Sequence, residues 1–142
     1  MSLIKLTILG FIILETSNVI ALSFFPNSKL ANSVGIFRAW EQSKADPEVH
    51  IFVRYLVNWV ASTKLIFILL LIVILLTVDA GALPYIGAAL VLSIASFFWR
   101  LFPLIRKMDH DGQIDPKKYS AVLGWMIAAF ILIFLAATLL SI

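Results

Sequence analysis

Cysteine is absent from this 142-residue chain. Its absence excludes disulfides, thiolate metal sites and cysteine nucleophiles, and leaves the compartment open. Charge is scarce: 13% of residues are Asp, Glu, Lys or Arg, against roughly 25% in soluble domains. The six glycines stand singly, so no glycine-rich loop is available to cradle a phosphate. No G-x-S-x-G, Walker or H-E-x-x-H pattern occurs. No repeat and no low-complexity segment occurs either. These absences predict a protein that is not an enzyme and that carries no cofactor.

What is abundant is apolar residues. They make up 62% of the chain, and the mean hydropathy is +1.04. A single domain of this length cannot hide that much apolar surface in its own core, so the lipid bilayer is its expected solvent and first partner. Four stretches reach the roughly 20 residues that a membrane crossing needs: about 3–25, 55–78, 82–104 and 119–141. Backbone groups find no water in lipid, which makes these stretches helices. The predicted fold is all-α, one membrane domain of four transmembrane helices in a bundle. Residues 1–23 resemble a secretory signal, but Glu15 and Asn18 interrupt its apolar core, and the segment reads as a retained helix.

The connections are of three kinds. "TVDAGALP" (77–84) makes a tight hairpin between the second and third spans. "RKMDHDGQIDPKK" (106–118) is a polar loop. The long first connection, 26–54, places Leu30, Val34, Phe37 and Trp40 at helical spacing, which predicts an amphipathic helix over 28–44 lying in the membrane interface. After it, Asp46 and Pro47 form a helix start, with Asp46 as N-cap.

The net charge of +3 and a pI near 9.4 do not indicate nucleic acid, because the basic residues are placed as topology signals. Lys29, Arg38, Lys44, Arg54, Arg100, Arg106, Lys107, Lys117 and Lys118 fall at one end of the spans, and only Lys5 lies at the other. The positive-inside rule puts loops 26–54 and 105–118 in the cytoplasm and both termini on the far side. Trp40, Arg54, Trp59, Arg100 and Trp125 mark the expected cytoplasmic rim, which is also a candidate surface for a larger membrane complex or a homo-oligomer.

Candidate chemistry is concentrated in three places. Asp109, Asp111 and Asp115 in "DHDGQID" look like the middle of a calcium loop. Aligned on Gly112, however, the first and twelfth ligand positions are Lys107 and Lys118, so a tight glycine turn is the preferred reading over a weak cation site. His50 and His110 read as solvated. In the third span Tyr85, Ala89, Ser93, Ser96 and Arg100 form one stripe roughly 80° wide. Glu15 and Lys64 differ from all of these, being ionisable groups well inside spans. At ~1.5 Å per residue Glu15 lies about 15 Å and Lys64 about 13–14 Å from the same membrane face. Either charge alone costs at least about 2.5–3.5 kcal/mol there, so the two are expected to pair. Asn18, Ser62, Ser93 and Ser96 complete the expected polar centre.

The glutamate within "ILET" (13–16), in the first of four helices, resembles the small multidrug resistance transporters. That resemblance implies a membrane carboxylate exchanging protons for cations. Lys64, the long first loop and the charge asymmetry depart from that family's pattern, and a lysine beside the glutamate competes with a cationic substrate. Three functions follow as expectations. The first is an accessory or assembly subunit with a structural polar centre. The second is a small oligomeric transporter or channel using Glu15 and Lys64. The third and least favoured is a lipid enzyme.

The missing cysteine makes the orientation directly testable. An impermeant thiol reagent applied to intact cells is expected to label Ala80→Cys and to spare Gln113→Cys until the membrane is opened. The opposite pattern inverts the topology.

Overall fold

A computed structural model describes residues 2–29 and 32–141. The helices are α1 (Leu3–Phe24), α2 (Arg38–Ser43), α3 (Pro47–Thr77), α4 (Leu83–Ala95), α5 (Phe97–His110) and α6 (Tyr119–Leu139). Among the described residues there is no strand beyond an isolated bridge between Phe37 and Ile114. Four helical segments are long and apolar enough to cross a membrane: Leu3–Phe24, Pro47–Thr77, Ala80–His110 and Tyr119–Leu139. Their number and composition make this a multi-pass membrane protein.

The helices associate as two pairs. α1 lies along α3, α4 lies along α6, and α1 also meets α6. A regular seam runs down each of these helices. On α1 the inward positions are Ile4, Ile8, Phe11, Glu15, Asn18 and Leu22, alternately four and three residues apart. On α3 they are Ala61, Lys64, Ile68 and Leu71, with the same alternation. Such spacing keeps one stripe of a helix against its neighbour. The two charged residues therefore occupy ordinary seam positions. On α4 the seam is Leu83, Gly87 and Leu90. Lipid offers no hydrophobic drive between helices, so close approach at small residues matters. Gly87 supplies it here: a Cβ at this position would stand 2.1 Å from Thr138 Oγ1 and 2.7 Å from Ile4 Cδ1.

Two apolar clusters sit at opposite ends of the molecule. The larger joins Ile4, Ile8, Phe11, Ile12, Ile68, Leu71, Leu83, Leu90, Phe134 and Ala137. Phe11 closes its inner edge, with ring centroids 5.6 Å from Phe134, 5.8 Å from Phe130 and 6.2 Å from Phe67. The smaller cluster, Ile36, Ile105 and Ile114, gathers the loops over the other end. The space between the two clusters holds the candidate site.

Helix ends differ from the sequence expectation in instructive ways. α3 starts at Pro47 as expected, and Asp46 Oδ1 accepts from the backbone N–H groups of Glu48 (3.0 Å) and Val49 (3.2 Å). Its 31 residues span about 46 Å at ~1.5 Å each, longer than the ~30 Å apolar core of a bilayer. The third span continues to His110, beyond the expected end at 104. It tightens at Ser96, where Trp99 N–H bonds to Ser96 O at 3.1 Å, one turn before Pro103 removes a backbone donor. α5 stops at Gly112, whose φ of +70° few other residues tolerate. There Gly112 N–H bonds to Asp109 O (3.1 Å) and Gln113 N–H to Met108 O (2.8 Å), the double closure of a glycine-terminated helix.

The first loop is the main correction. No continuous amphipathic helix runs over 28–44. A single 3₁₀ turn at Val34–Ile36 is followed by the six-residue α2, with Phe37 extended between them; Leu30 lies outside the described residues. The reason is a competing set of backbone partners. Arg38 N–H bonds to Gln113 O and Asp115 N–H to Ile36 O, both at 2.9 Å. Residues 36–38 thus pair with the third loop instead of with a helical turn of their own.

The α1–α4–α6 junction predicts a contrast between two glycines. Gly87→Val should lower stability in detergent by about 1–3 kcal/mol through overpacking. Gly10, on the exposed side of α1 with nothing near its missing Cβ, should tolerate alanine and gain up to about 1 kcal/mol. Thermal unfolding of both variants measures this, and equal effects would mean that the three helices do not meet at Gly87.

Candidate functional site

The seam registers of α1 and α3 bring Glu15, Asn18 and Lys64 to one level. Lys64 Nζ donates to Glu15 Oε2 at 2.6 Å and to Asn18 Oδ1 at 2.8 Å. The spacing of three residues between Glu15 and Asn18 puts both acceptors on the same helix face, one turn apart, so a single ammonium reaches both. Asn18 is buried, whereas the Glu15 and Lys64 side chains keep 22% and 33% of their surface. The pair is therefore desolvated in part and opens on one side.

What it opens onto is a cavity of about 660 Å³. Glu15, Asn18 and Leu22 line it from α1, and Leu56, Val60 and Lys64 line it from α3. Phe97, Leu101 and Ile105 of α5 face them, with Leu123, Met126 and Phe130 of α6. Phe11 stands at the end next to the larger core. At the other end Asn32, Val34, Phe37 and Tyr119 close the space, and the Tyr119 hydroxyl donates to Asn32 Oδ1. The cleft exists because α3 follows α1 while α5 follows α6, so the two pairs diverge below Phe11.

The expected polar centre needs three corrections. Ser62, Ser93 and Ser96 are all exposed on the outside of the molecule. Ser62 lies two residues from Lys64, which at about 100° per residue turns it to the opposite side of α3. The third span packs on α6, with Leu83, Gly87 and Leu90 inward. The stripe of Tyr85, Ala89, Ser93, Ser96 and Arg100 accordingly faces outward, and Ser96 Oγ bonds back to Ser93 O at 2.6 Å.

Of the expected rim residues, Trp40 is not at the surface. Trp40 is buried inside the first loop, where Nε1 donates to Asn27 Oδ1 at 2.6 Å and the ring lies 5.0 Å from the His50 ring. His50, read from sequence as solvated, is half-buried there, and its Nδ1 is 2.9 Å from Ser43 Oγ. Arg54 and Trp59 are exposed on α3, Arg100 on α5 and Trp125 on α6, the Arg100 guanidinium resting 5.8 Å from the ring of Trp99.

The three aspartates also go separate ways. Asp109 caps the start of α6, with Oδ1 accepting from Lys118 N–H (3.0 Å) and Oδ2 from Ser120 N–H (2.8 Å) and Ser120 Oγ (2.6 Å). Asp111 lies 3.4 Å from His110 Nδ1. Asp115 pairs with Lys29, tying the third loop to the first. Among the described residues no group of three or more His, Cys, Asp or Glu side chains is placed to hold a metal.

Sequence reasoning missed the cleft walls. Phe97, Leu101 and Met126 are indistinguishable in sequence from lipid-facing residues. The one usable signal was the four-three alternation that puts Glu15 and Lys64 in the seams. Comparisons with protein-family models, curated proteins and solved structures each find no match, so any functional reading rests on this geometry.

Two outcomes follow. In a stability cycle over Glu15→Gln, Lys64→Met and the double variant, a coupling of about 1–3 kcal/mol is expected, below the about 3–5 kcal/mol cost of breaking a fully buried pair because the cleft leaves both groups partly exposed. Additive losses would mean that the pair does not act as one. For the loop tie, hydrogen bonding from Lys29, its charge and that of nearby Arg38 hold the Asp115 carboxyl below the usual aspartate range. A depressed folded pKa contributes stability above the unfolded value, and that contribution fades as pH falls through the folded one. Protection of the Asp115 amide against hydrogen exchange should drop below about pH 4, and Asp115→Asn should remove the pH dependence.

Proposed function

We propose that this multi-pass membrane protein binds or carries a small ligand in the cleft between its helix pairs, with Glu15, Lys64 and Asn18 as the polar end of the site. The observation that supports this reading is the placement of the ion pair on the wall of an approximately 660 Å³ cavity. A polar centre that only fastens helices together needs no such space, and closed apolar packing would fasten them as well. The volume falls in the roughly 300–1,000 Å³ range of small-molecule sites, and a mostly apolar wall with a few convergent polar groups is their usual make-up. With the basic loops in the cytoplasm and the termini outside, the end closed by the first and third loops faces the cytoplasm. Transport of a proton or ion by Glu15 and Lys64 is a variant of this reading, and the apolar lining favours it less than an apolar cargo.

A second reading, an accessory subunit of a larger membrane assembly or homo-oligomer, draws support from the outward Tyr85–Ala89–Ser93–Ser96–Arg100 stripe. Small and hydroxyl residues on an exterior helix face suit another helix better than lipid. A lipid enzyme has the least support, since Ser17 on the cleft wall has no histidine among its companions there.

Native mass spectrometry of the protein released from its own membrane separates the first two readings. A bound small molecule is expected on the wild type and should be absent from Val60→Trp, which fills the cleft from a half-exposed position one turn from Lys64. A wild type with an empty cleft that migrates only as part of a larger complex would favour the accessory role.

A further inference from the structure

On the reading that the cleft is a binding site, its chemistry narrows the ligand, and we infer that the occupant is an uncharged amphiphile with an apolar body and a single hydroxyl or carbonyl head seated at Glu15 and Lys64. The polar end of the cleft is net neutral, because carboxylate and ammonium already compensate each other at 2.6 Å. A cationic head would compete with Lys64 for Glu15, and an anionic head would compete with Glu15 for Lys64. Either exchange leaves one charge unpaired in a poorly solvated place, which strongly disfavours it.

Hydrogen-bonding capacity points the same way. An ammonium has three N–H donors, and Lys64 directs two of them at Glu15 Oε2 and Asn18 Oδ1. One donor remains for a ligand oxygen, and Glu15 Oε1 can accept from a ligand hydroxyl. A hydroxyl uses both groups at once, and a carbonyl uses the first. The rest of the site offers no second anchoring charge. Its walls are Leu22, Phe37, Val60, Phe97, Leu101 and Phe130, and the Tyr119 hydroxyl at the far end is already bonded to Asn32. One polar head and an apolar remainder is the shape this lining accepts. The head could belong to a membrane-resident alcohol or ketone or to a water-borne apolar molecule; the chemistry recognised is the same.

The test uses three tritiated probes with one decyl chain: decanol, decanoate and decyltrimethylammonium. Equilibrium binding is measured to the full chain in phosphatidylcholine nanodiscs at pH 7.5, with empty nanodiscs subtracted. Decanol is expected to bind at least about tenfold more tightly than either charged probe, a difference of about 1.4 kcal/mol. Glu15→Gln with Lys64→Met should keep chain binding and lose that preference, and Val60→Trp should lose binding of all three. Tighter binding of decanoate or decyltrimethylammonium would overturn the uncharged head while leaving the cleft as a binding site. Failure of all three to bind a wild type of normal melting temperature would overturn the binding site itself. For the source of the ligand, adding decanol through preloaded vesicles or through buffer separates entry from the membrane, with faster loading from vesicles, from entry by water.

Discussion

One ammonium held by two acceptors on a neighbouring helix organises the middle of this protein. Lys64 reaches Glu15 and Asn18 because α1 and α3 run side by side in matching registers. A lone charge in a partly desolvated place is costly, so each partner makes the other tolerable. The same contact sets the rotation of both helices. With Glu15 and Lys64 facing each other, Ile4, Ile8 and Phe11 of α1 and Ile68 and Leu71 of α3 must also turn inward, and they form the larger apolar core.

The cleft follows from how the two helix pairs meet. Around Phe11 and Phe134 four helices converge, helped by the close approach at Gly87. Farther along, α3 stays with α1 and α5 stays with α6, and the space between them is left to be closed by loops. The first and third loops do this by pairing with each other. Phe37 bridges to Ile114, Lys29 pairs with Asp115, and Trp40 locks the first loop against His50. A loop that would have been free to lie on the membrane surface is instead built into a cover for one end of the cleft. Asn32 and Tyr119, the polar groups with which this cover lines the cleft, are bonded to each other, so the charged pair is the chemically distinctive feature of the cavity wall.

Membrane solvent explains why much of this was legible from residues alone. Spans of the required length, the hairpin at 77–84, the helix start at Pro47 and the meeting of Glu15 with Lys64 follow from local rules: apolar length, capping chemistry, rise per residue and the cost of an isolated charge. Each acts within one helix or between sequence neighbours in the fold, and none requires knowing how the pairs are arranged. The serine positions were harder. Ser62 could have been excluded from its 200° offset to Lys64, but Ser93 and Ser96 depended on which face of the third span meets α6.

The sequence by itself determined that the chain is a multi-pass helical membrane protein and that Glu15 and Lys64 stand at matching levels along their helices, because hydropathy and helical rise are properties of each segment taken alone. Only the tertiary structure decided that the third span turns its serine stripe outward, that residues 36–38 pair with the third loop instead of forming an interfacial helix, and that the charged pair opens onto a cleft. Those outcomes are competitions between surfaces far apart in the chain. An apolar residue that lines a cavity and one that faces lipid carry the same side chain, and packing against the other helices is what separates them.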